Sequence, residues 1–312
     1  KEYFPNCKVE FLSHHMAHSA ATFYTSGFDE SNILSFDGAG DHVRVGGEDG
    51  LNTNEYMDIR LRGSWKVPHF MFSQGVGLTI NKITLGYIND PYSFLGASYG
   101  FFSALVYNLK ITKDEDINPL SADFLDSSGI QSLDTTNLMA NISTNDRETF
   151  PGKVMGLAAY GDYNNINLPD SFKLDSSGSF PILYNSPEWE DNDDVSNKEL
   201  LLLNPEDLAA WSQHQFEKHL LNYLRHIPKE IKRDNLCLGG GCALNILANT
   251  KILEEGIYKN VHVNTAPNDD GLHFGAALYK AVEYEKRLPE LPDDIGYLGI
   301  NYSDEDIEAS LL

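Results

Sequence analysis

The sequence predicts an α/β fold: a mixed sheet covered by helices, with an insertion. Three observations carry this reading. From about residue 204 onward, helix-period segments alternate with short strand-like runs, the pattern of a parallel sheet packed by helices. Upstream, a strand-like run enters a glycine-rich Asp-Gly turn and returns, the pattern of an antiparallel hairpin. The 312 residues are also 41% hydrophobic, enough to bury a large core.

In chain order, FLSHHMAHSAATFY reads as a helix that gathers three of the ten histidines, His14, His15 and His18. Ile33 to Phe36 reads as a buried strand, Asp37-Gly38-Ala39-Gly40-Asp41 as a tight turn, and His42 to Val45 as the returning strand. A third strand, YMDIRLRG, follows at 56–63. Residues 89–150 open apolar and aromatic (YSFLGASYGFFSALVY), then become rich in Ser, Asp, Asn and Thr; an insertion of one helix and a loop-rich remainder is expected there. SPEWEDNDDVSN, at 186–197, is a second acidic loop without the alternating oxygen ligands, glycine and closing glutamate of a calcium loop.

The C-terminal half is the most regular. NPEDLAAWSQHQFEKHLLNYLRHI starts a long helix, with Asn204 at the N-cap, Pro205 first in the helix and acids in the first turn. A strand over Asn235 to Leu238 leads through glycines into a helix from about Cys242 to Glu255, ended by Gly256. A strand over Asn260 to Val263, the turn TAPNDDG and a helix from about Asp270 to Lys286 complete the unit. A Pro-rich linker and a helix start at Ser303-Asp304-Glu305-Asp306 close the chain.

Forty-six acids against 23 Lys+Arg give a formal charge of −23 with no basic cluster, which disfavours nucleic acid and anionic membrane surfaces as partners. No apolar run approaches the roughly 20 residues of a membrane span. Cys7, Cys237 and Cys242 show no CxxC spacing, so neither a disulfide framework nor a zinc knuckle is indicated. A cytoplasmic setting is expected.

Five constellations can carry chemistry. His14 and His18, four apart, share a helix face and are near enough to share a metal, provided a third ligand arrives from elsewhere; otherwise they are a packed polar face. Asp37 stands where a strand end can face a metal, a bound water or a reacting hydroxyl while the turn's N–H groups face phosphate; its bland reading is hairpin closure. Gly239, Gly240 and Gly241, between strand and helix, permit close approach of a ligand and match neither GxGxxG nor the P-loop. Asp269 and Asp270 can divide the tasks of capping a helix and ligating. Lys153, in the turn-like FPGKVMGLAAYG, is either a phosphate contact or a surface lysine.

In this order, SHHMAHSAATFYTSGFDE, ILSFDGAGD, GKVMGLAAYG, LGGGCALN and APNDDGLHFGAAL resemble the O-carbamoyltransferase family of nodulation-factor and antibiotic carbamoyltransferases. The resemblance implies an ASKHA fold (actin-like ATPase, ribonuclease H-like), similar to the tRNA threonylcarbamoyl-transfer subunit and joined in the family to a C-terminal YrdC-like domain. It implies three parts. Residues 1–30 would end the first ASKHA half with the HxxxH helix, 31–287 would form the second half with an insertion at about 89–150, and 288–312 would be a linker and the start of a further domain. Because the chain opens at Lys1 and stops at the approach to the YrdC-like domain, it is expected to be a piece of a longer enzyme.

In that family the YrdC-like domain makes carbamoyl-adenylate from carbamoyl phosphate and ATP, and the ASKHA-like domain passes the carbamoyl group to a hydroxyl of a small-molecule acceptor. Carried over, His14, His18 and Asp269 would hold a divalent metal, iron first, manganese or zinc otherwise, with Asp270 as the alternate ligand. Gly239, Gly240, Gly241 and Asn245 would face adenosine; Gly38, Gly40, Lys153 and Asp270 would complete the site for ATP or carbamoyl-adenylate; Asp37 would act on the acceptor hydroxyl. Competing readings are a threonylcarbamoyl-type tRNA modification protein and a catalytically incomplete nucleotide- and metal-binding module. A homodimer is the expectation for assembly.

Overall fold

The computed structural model of the chain describes residues 12–37, 70–83, 144–167 and 203–292, with residue 10 and shorter pieces between 95 and 106 and between 295 and 311. Five strands form one mixed sheet: β1 (Glu30–Phe36), β2 (Phe70–Val76), β3 (Thr79–Lys82), β4 (Asn235–Gly239) and β5 (Asn260–Val263), in the order β3-β2-β1-β4-β5. β1 runs antiparallel to β2 and parallel to β4, and β4 is parallel to β5. The expected mixed sheet is present, but the antiparallel partner differs. β2 pairs along β1 from Glu30↔Val76 to Phe36↔Phe70, and the turn to β3 is made by Gly77 at φ 57. The strands expected at 42–45 and 56–63 lie outside the described residues.

Period-2 alternation sends the strands' side chains to two faces. Leu34, Phe36, Leu236 and Leu238 join one core, and Ile33 and Cys237 join the other. The first face is covered by α3 (Pro205–Arg225) and α4 (Ile246–Glu254), through Phe216, Leu220, Leu224, Ala248 and Ile252. The second is covered by α1 (His14–Tyr24) and α5 (Leu272–Glu285), through Ala20, Phe23, Leu278 and Val282. The result is three layers, helices on both sides of the sheet.

Small residues set the second layer's geometry. A Cβ on Gly275 of α5 would lie 2.0 Å from the Ala17 carbonyl oxygen and 3.0 Å from the Ala21 Cβ, so α5 and α1 pack at nearly backbone contact. α1 is therefore buried almost all round, from Ala17 to Tyr24.

The long helix starts as its sequence dictates: the Asn204 side chain accepts from the Asp207 N–H and Pro205 opens the first turn. At the chain's end, α6 (Asp304–Leu311) begins with a reciprocal cap, Ser303 Oγ accepting from the Asp306 N–H and Asp306 Oδ2 from the Ser303 N–H.

One expectation changes. FPGKVMGLAAYG is not a flexible turn. It ends α2 (Thr144–Leu157), which carries Pro151 inside it, and continues as a 3-10 turn over Ala158–Tyr160. And the stretch read as an insertion contributes to the core where it is described: Tyr99, Phe102, Leu105 and Val106 are buried, and Phe102 packs edge-on against Trp211 of α3.

Candidate metal centre

Three segments distant in sequence meet at the C-terminal ends of β1 and β4. α1 supplies His14 and His18, the end of β1 supplies Asp37, and the 3-10 turn Asp269–Gly271 after β5 supplies Asp269. One ligand atom from each of these four residues lies within 4.8 Å of the others. His14 Nε2 and His18 Nε2 are 3.1 Å apart. Asp37 Oδ2 is 3.5 Å from His14 Nε2 and 3.2 Å from His18 Nε2, and Asp269 Oδ1 is 3.5 and 3.4 Å from the same atoms.

These separations suit a cation. Ligands at about 2.1 Å from a common ion stand about 3.0 Å apart at right angles and about 3.4 Å apart at tetrahedral angles. Two carboxylates and two imidazoles, without a thiolate, form a donor set for iron(II), manganese or zinc rather than for soft metals. His18 is buried, with its side chain 1% exposed, whereas Asp269 is 67% exposed, so the cluster opens to solvent on the Asp269 side. Burial pulls the His18 pKa down, but hydrogen bonds and charge from Asp269 and Asp37 outweigh it, and the pKa is raised above 6.5.

The remaining residues sort plainly. His15 is buried and its Nδ1 meets Ser35 Oγ at 2.8 Å, so it belongs to the core and not to the cluster. Between the two adjacent acids, Asp269 faces the histidines, and Asp270 accepts from Asn268 Nδ2 at 3.0 Å on the exposed side. Asp37 joins the histidines through the same oxygen, Oδ2, that accepts the Gly241 N–H at 3.1 Å.

The three glycines have structural work. Gly240 sits at φ +90 with the Phe36 carbonyl oxygen 2.1 Å from where a Cβ would lie, and its N–H donates to the Pro267 carbonyl at 2.7 Å. A Cβ on Gly241 would stand 3.0 Å from Asp37 Oδ1, and one on Gly239 3.1 Å from the His18 carbonyl oxygen. The triplet thus lets β4 turn directly beneath Asp37 and α1. Asn245, expected beside adenosine, is buried; its Oδ1 caps α4 at the Ala248 N–H, and its amide is paired with Gln213. Lys153 lies exposed on α2. Gly38 and Gly40 lie outside the described residues.

Sequence reasoning did not single out Gln213 and Glu217. They are four residues apart within the polar stretch SQHQFEKH, which an amphipathic reading sends to solvent; both are buried.

Among the described residues no helix is long and apolar enough to cross a membrane. Comparison with known proteins agrees with the motifs. Nodulation protein NolNO of Sinorhizobium fredii is 25% identical over 98% of this chain and 36% of its own length. A protein of Synechocystis sp. described only as uncharacterised is 26% identical over 96% of this chain and 42% of its own length. The chain therefore spans less than half of the relatives it matches. A crystal structure of HypF from T. kodakarensis aligns over 91% of this chain and 38% of that one at 17% identity and a TM-score of 0.44, a likeness too weak to assign chemistry. The sequence profile described as Carbamoyltransferase N-terminus matches residues 3–278. By that match, which takes in all four residues of the cluster, the chain belongs to the carbamoyltransferase family and carries its N-terminal region.

Proposed function

We propose that this chain is the carbamoyl-transfer part of a metal-dependent O-carbamoyltransferase of ASKHA architecture. It moves a carbamoyl group from carbamoyl-adenylate to a hydroxyl of a small-molecule acceptor. The observation that carries the reading is the convergence of His14, His18, Asp37 and Asp269 from three segments onto one point. Two carboxylates meeting at one point call for positive charge between them, and a divalent cation held by both imidazoles offsets more of it than a protonated His18 alone.

A divalent ion held there, iron first and manganese or zinc otherwise, supplies Lewis acidity toward a carbamoyl carbonyl and lowers the pKa of a hydroxyl. The chain's own residues do the rest. His14 and His18 ligate as neutral imidazoles, and Asp37 and Asp269 provide the compensating negative charge. The Gly241 N–H holds Asp37 in its ligating orientation. We assign the glycine turn Gly239–Gly241, together with Gly38, Gly40, Lys153 and Asp270, to the nucleotide side. In the transfer, a bond forms between the acceptor oxygen and the carbamoyl carbon. The bond from that carbon to the phosphate oxygen breaks, AMP leaves with the electron pair, and the hydroxyl proton is released. We assign the supply of carbamoyl-adenylate, from carbamoyl phosphate and ATP, to a YrdC-like domain. The charge of −23 favours a small acceptor over tRNA.

The test is metal analysis of chain purified without chelator and reconstituted anaerobically with iron(II). Near-stoichiometric metal is expected in the wild type and in Asp270→Ala, and its loss in His14→Ala/His18→Ala, Asp37→Ala and Asp269→Ala. The loaded chain, given carbamoyl-adenylate and a panel of hydroxyl acceptors, should release AMP in step with a carbamoylated product. A wild type that takes up no metal sinks the reading.

A further inference from the structure

A run of three glycines has little conformational preference of its own, so the direction of the Gly241 N–H must be set from outside the turn. Behind the turn lies a buried polar network. Gln213 of α3 and Asn245 pair through both amide groups, Gln213 Nε2 to Asn245 Oδ1 at 3.0 Å and Asn245 Nδ2 to Gln213 Oε1 at 2.9 Å. The Tyr99 hydroxyl donates to Gln213 Oε1 at 2.9 Å, and Gln213 Nε2 also donates to Glu217 Oε1 at 2.8 Å. Lys251 of α4 neutralises Glu217. Gln213, Glu217, Asn245 and Tyr99 are 4%, 5%, 7% and 7% exposed, in a core otherwise built of Phe216, Leu220 and Ile252.

Apolar residues at 213 and 217 would serve packing as well or better, because buried polar groups stabilise little over well-packed hydrophobic ones. What a fully satisfied network adds is one permitted arrangement. Here that arrangement fixes Asn245, the last residue of the turn that begins at Gly239. The 3-10 segment between them, Gly241–Leu244, is closed by the Ala243 N–H on the Gly240 carbonyl and the Asn245 N–H on the Cys242 carbonyl. Its first residue points the N–H at Asp37 Oδ2. Gly96, three residues before Tyr99 in sequence, touches the site directly: a Cβ on it would lie 2.3 Å from the Asp37 carbonyl oxygen and 2.6 Å from Cys242 Sγ.

We propose that Gln213 is a positioning residue for the metal centre, acting through Asn245 and the glycine turn to hold Asp37 Oδ2 toward His14 and His18. The inference rests on the metal-centre reading above. Groups that orient a ligand typically change metal affinity about 10–100-fold when removed.

Cobalt(II) is the probe, because its visible absorption reports ligand arrangement as well as occupancy. Gln213→Met keeps the side-chain volume and removes the pairing. At a temperature where wild type and variant are both folded, its cobalt Kd should rise about 10–100-fold, with a shifted absorption band. Leu224→Ala, a core variant on the same helix, should lose stability while keeping the wild-type Kd and band. Tyr99→Phe, a milder change, should raise Kd in the same direction by less, and it decides the matter if Gln213→Met does not fold. An unchanged Kd and band in Gln213→Met, or in Tyr99→Phe where that variant decides, overturns the positioning role, as does an equal loss in Leu224→Ala. Wild type that binds no cobalt overturns the metal centre itself, a different failure from either of these.

Discussion

Replacing Gly275 by alanine sets two effects of opposite sign against each other. Within a helix, glycine to alanine ordinarily stabilises by about 1 kcal/mol, because alanine loses less backbone entropy. Gly275, however, is where α5 touches α1, and the new Cβ would fall 2.0 Å from the Ala17 carbonyl oxygen, 2.8 Å from its carbon and 3.0 Å from the Ala21 Cβ. A carbon and a carbonyl oxygen sit at about 3.3 Å in ordinary contact, so the helices must part locally by about 1.3 Å. The nearest obstacle is backbone, which cannot rotate aside, so the overpacking cost belongs at the upper end of about 1–3 kcal/mol. The clash outweighs the propensity gain, for a net loss of about 1–2 kcal/mol.

The displacement matters more than the energy. α1 carries His14 and His18, and α5 follows directly on the turn that carries Asp269. Moving one against the other separates ligands now 3.4–3.5 Å apart. Urea unfolding of metal-free protein should show a lower midpoint with an unchanged slope, and cobalt titration a Kd raised at least about tenfold. A variant as stable as wild type with the same Kd would show that the α1–α5 contact does not set the distance between the histidines and Asp269.

Other outcomes follow from particular contacts. Gly240→Ala, which forces a side chain into φ +90 and against the Phe36 carbonyl, should destabilise by more than about 2 kcal/mol in chemical denaturation, with no helix propensity to offset it. Asn245→Ala removes the cap on α4 and both hydrogen bonds to the Gln213 amide, which keeps only Glu217 and Tyr99; a loss of about 2–3 kcal/mol is expected in the same assay, larger than for a cap alone. In metal-free protein the raised pKa of His18 stabilises fully below the unfolded value of 6.5, and that contribution disappears as pH rises through the folded value. The melting temperature lost by wild type across that window should therefore exceed that of His18→Gln. With metal bound the trend reverses, since a neutral imidazole is the ligand.

The sequence by itself determined the parts whose cause is local. Asn204 and Pro205 start a helix wherever they stand before an apolar-periodic run, and Ser303 with Asp306 does the same at the chain's end, because a cap needs only its own next turn. The alternation of α3, β4, α4, β5 and α5 was legible because each element buries one face with its own period, and the HxxxH pair was legible because i and i+4 share a helix face by geometry.

Only the tertiary structure decided what depends on distance through space. The HxxxH spacing leaves its partners open; the crossing of α1 on α5 and the end of β1 bring Asp37 and Asp269 to it and turn Asp270 away. GGG in sequence reads as ligand access; in the fold it is also the clearance that Phe36, Asp37 and His18 require. Gln213 and Glu217 look like a polar helix surface until α4 and Tyr99 close over them. In each case the physical reason is the same: a covalent neighbour constrains a residue through its backbone, whereas a ligand set, a close approach or a buried polar pair exists only once separate elements have packed.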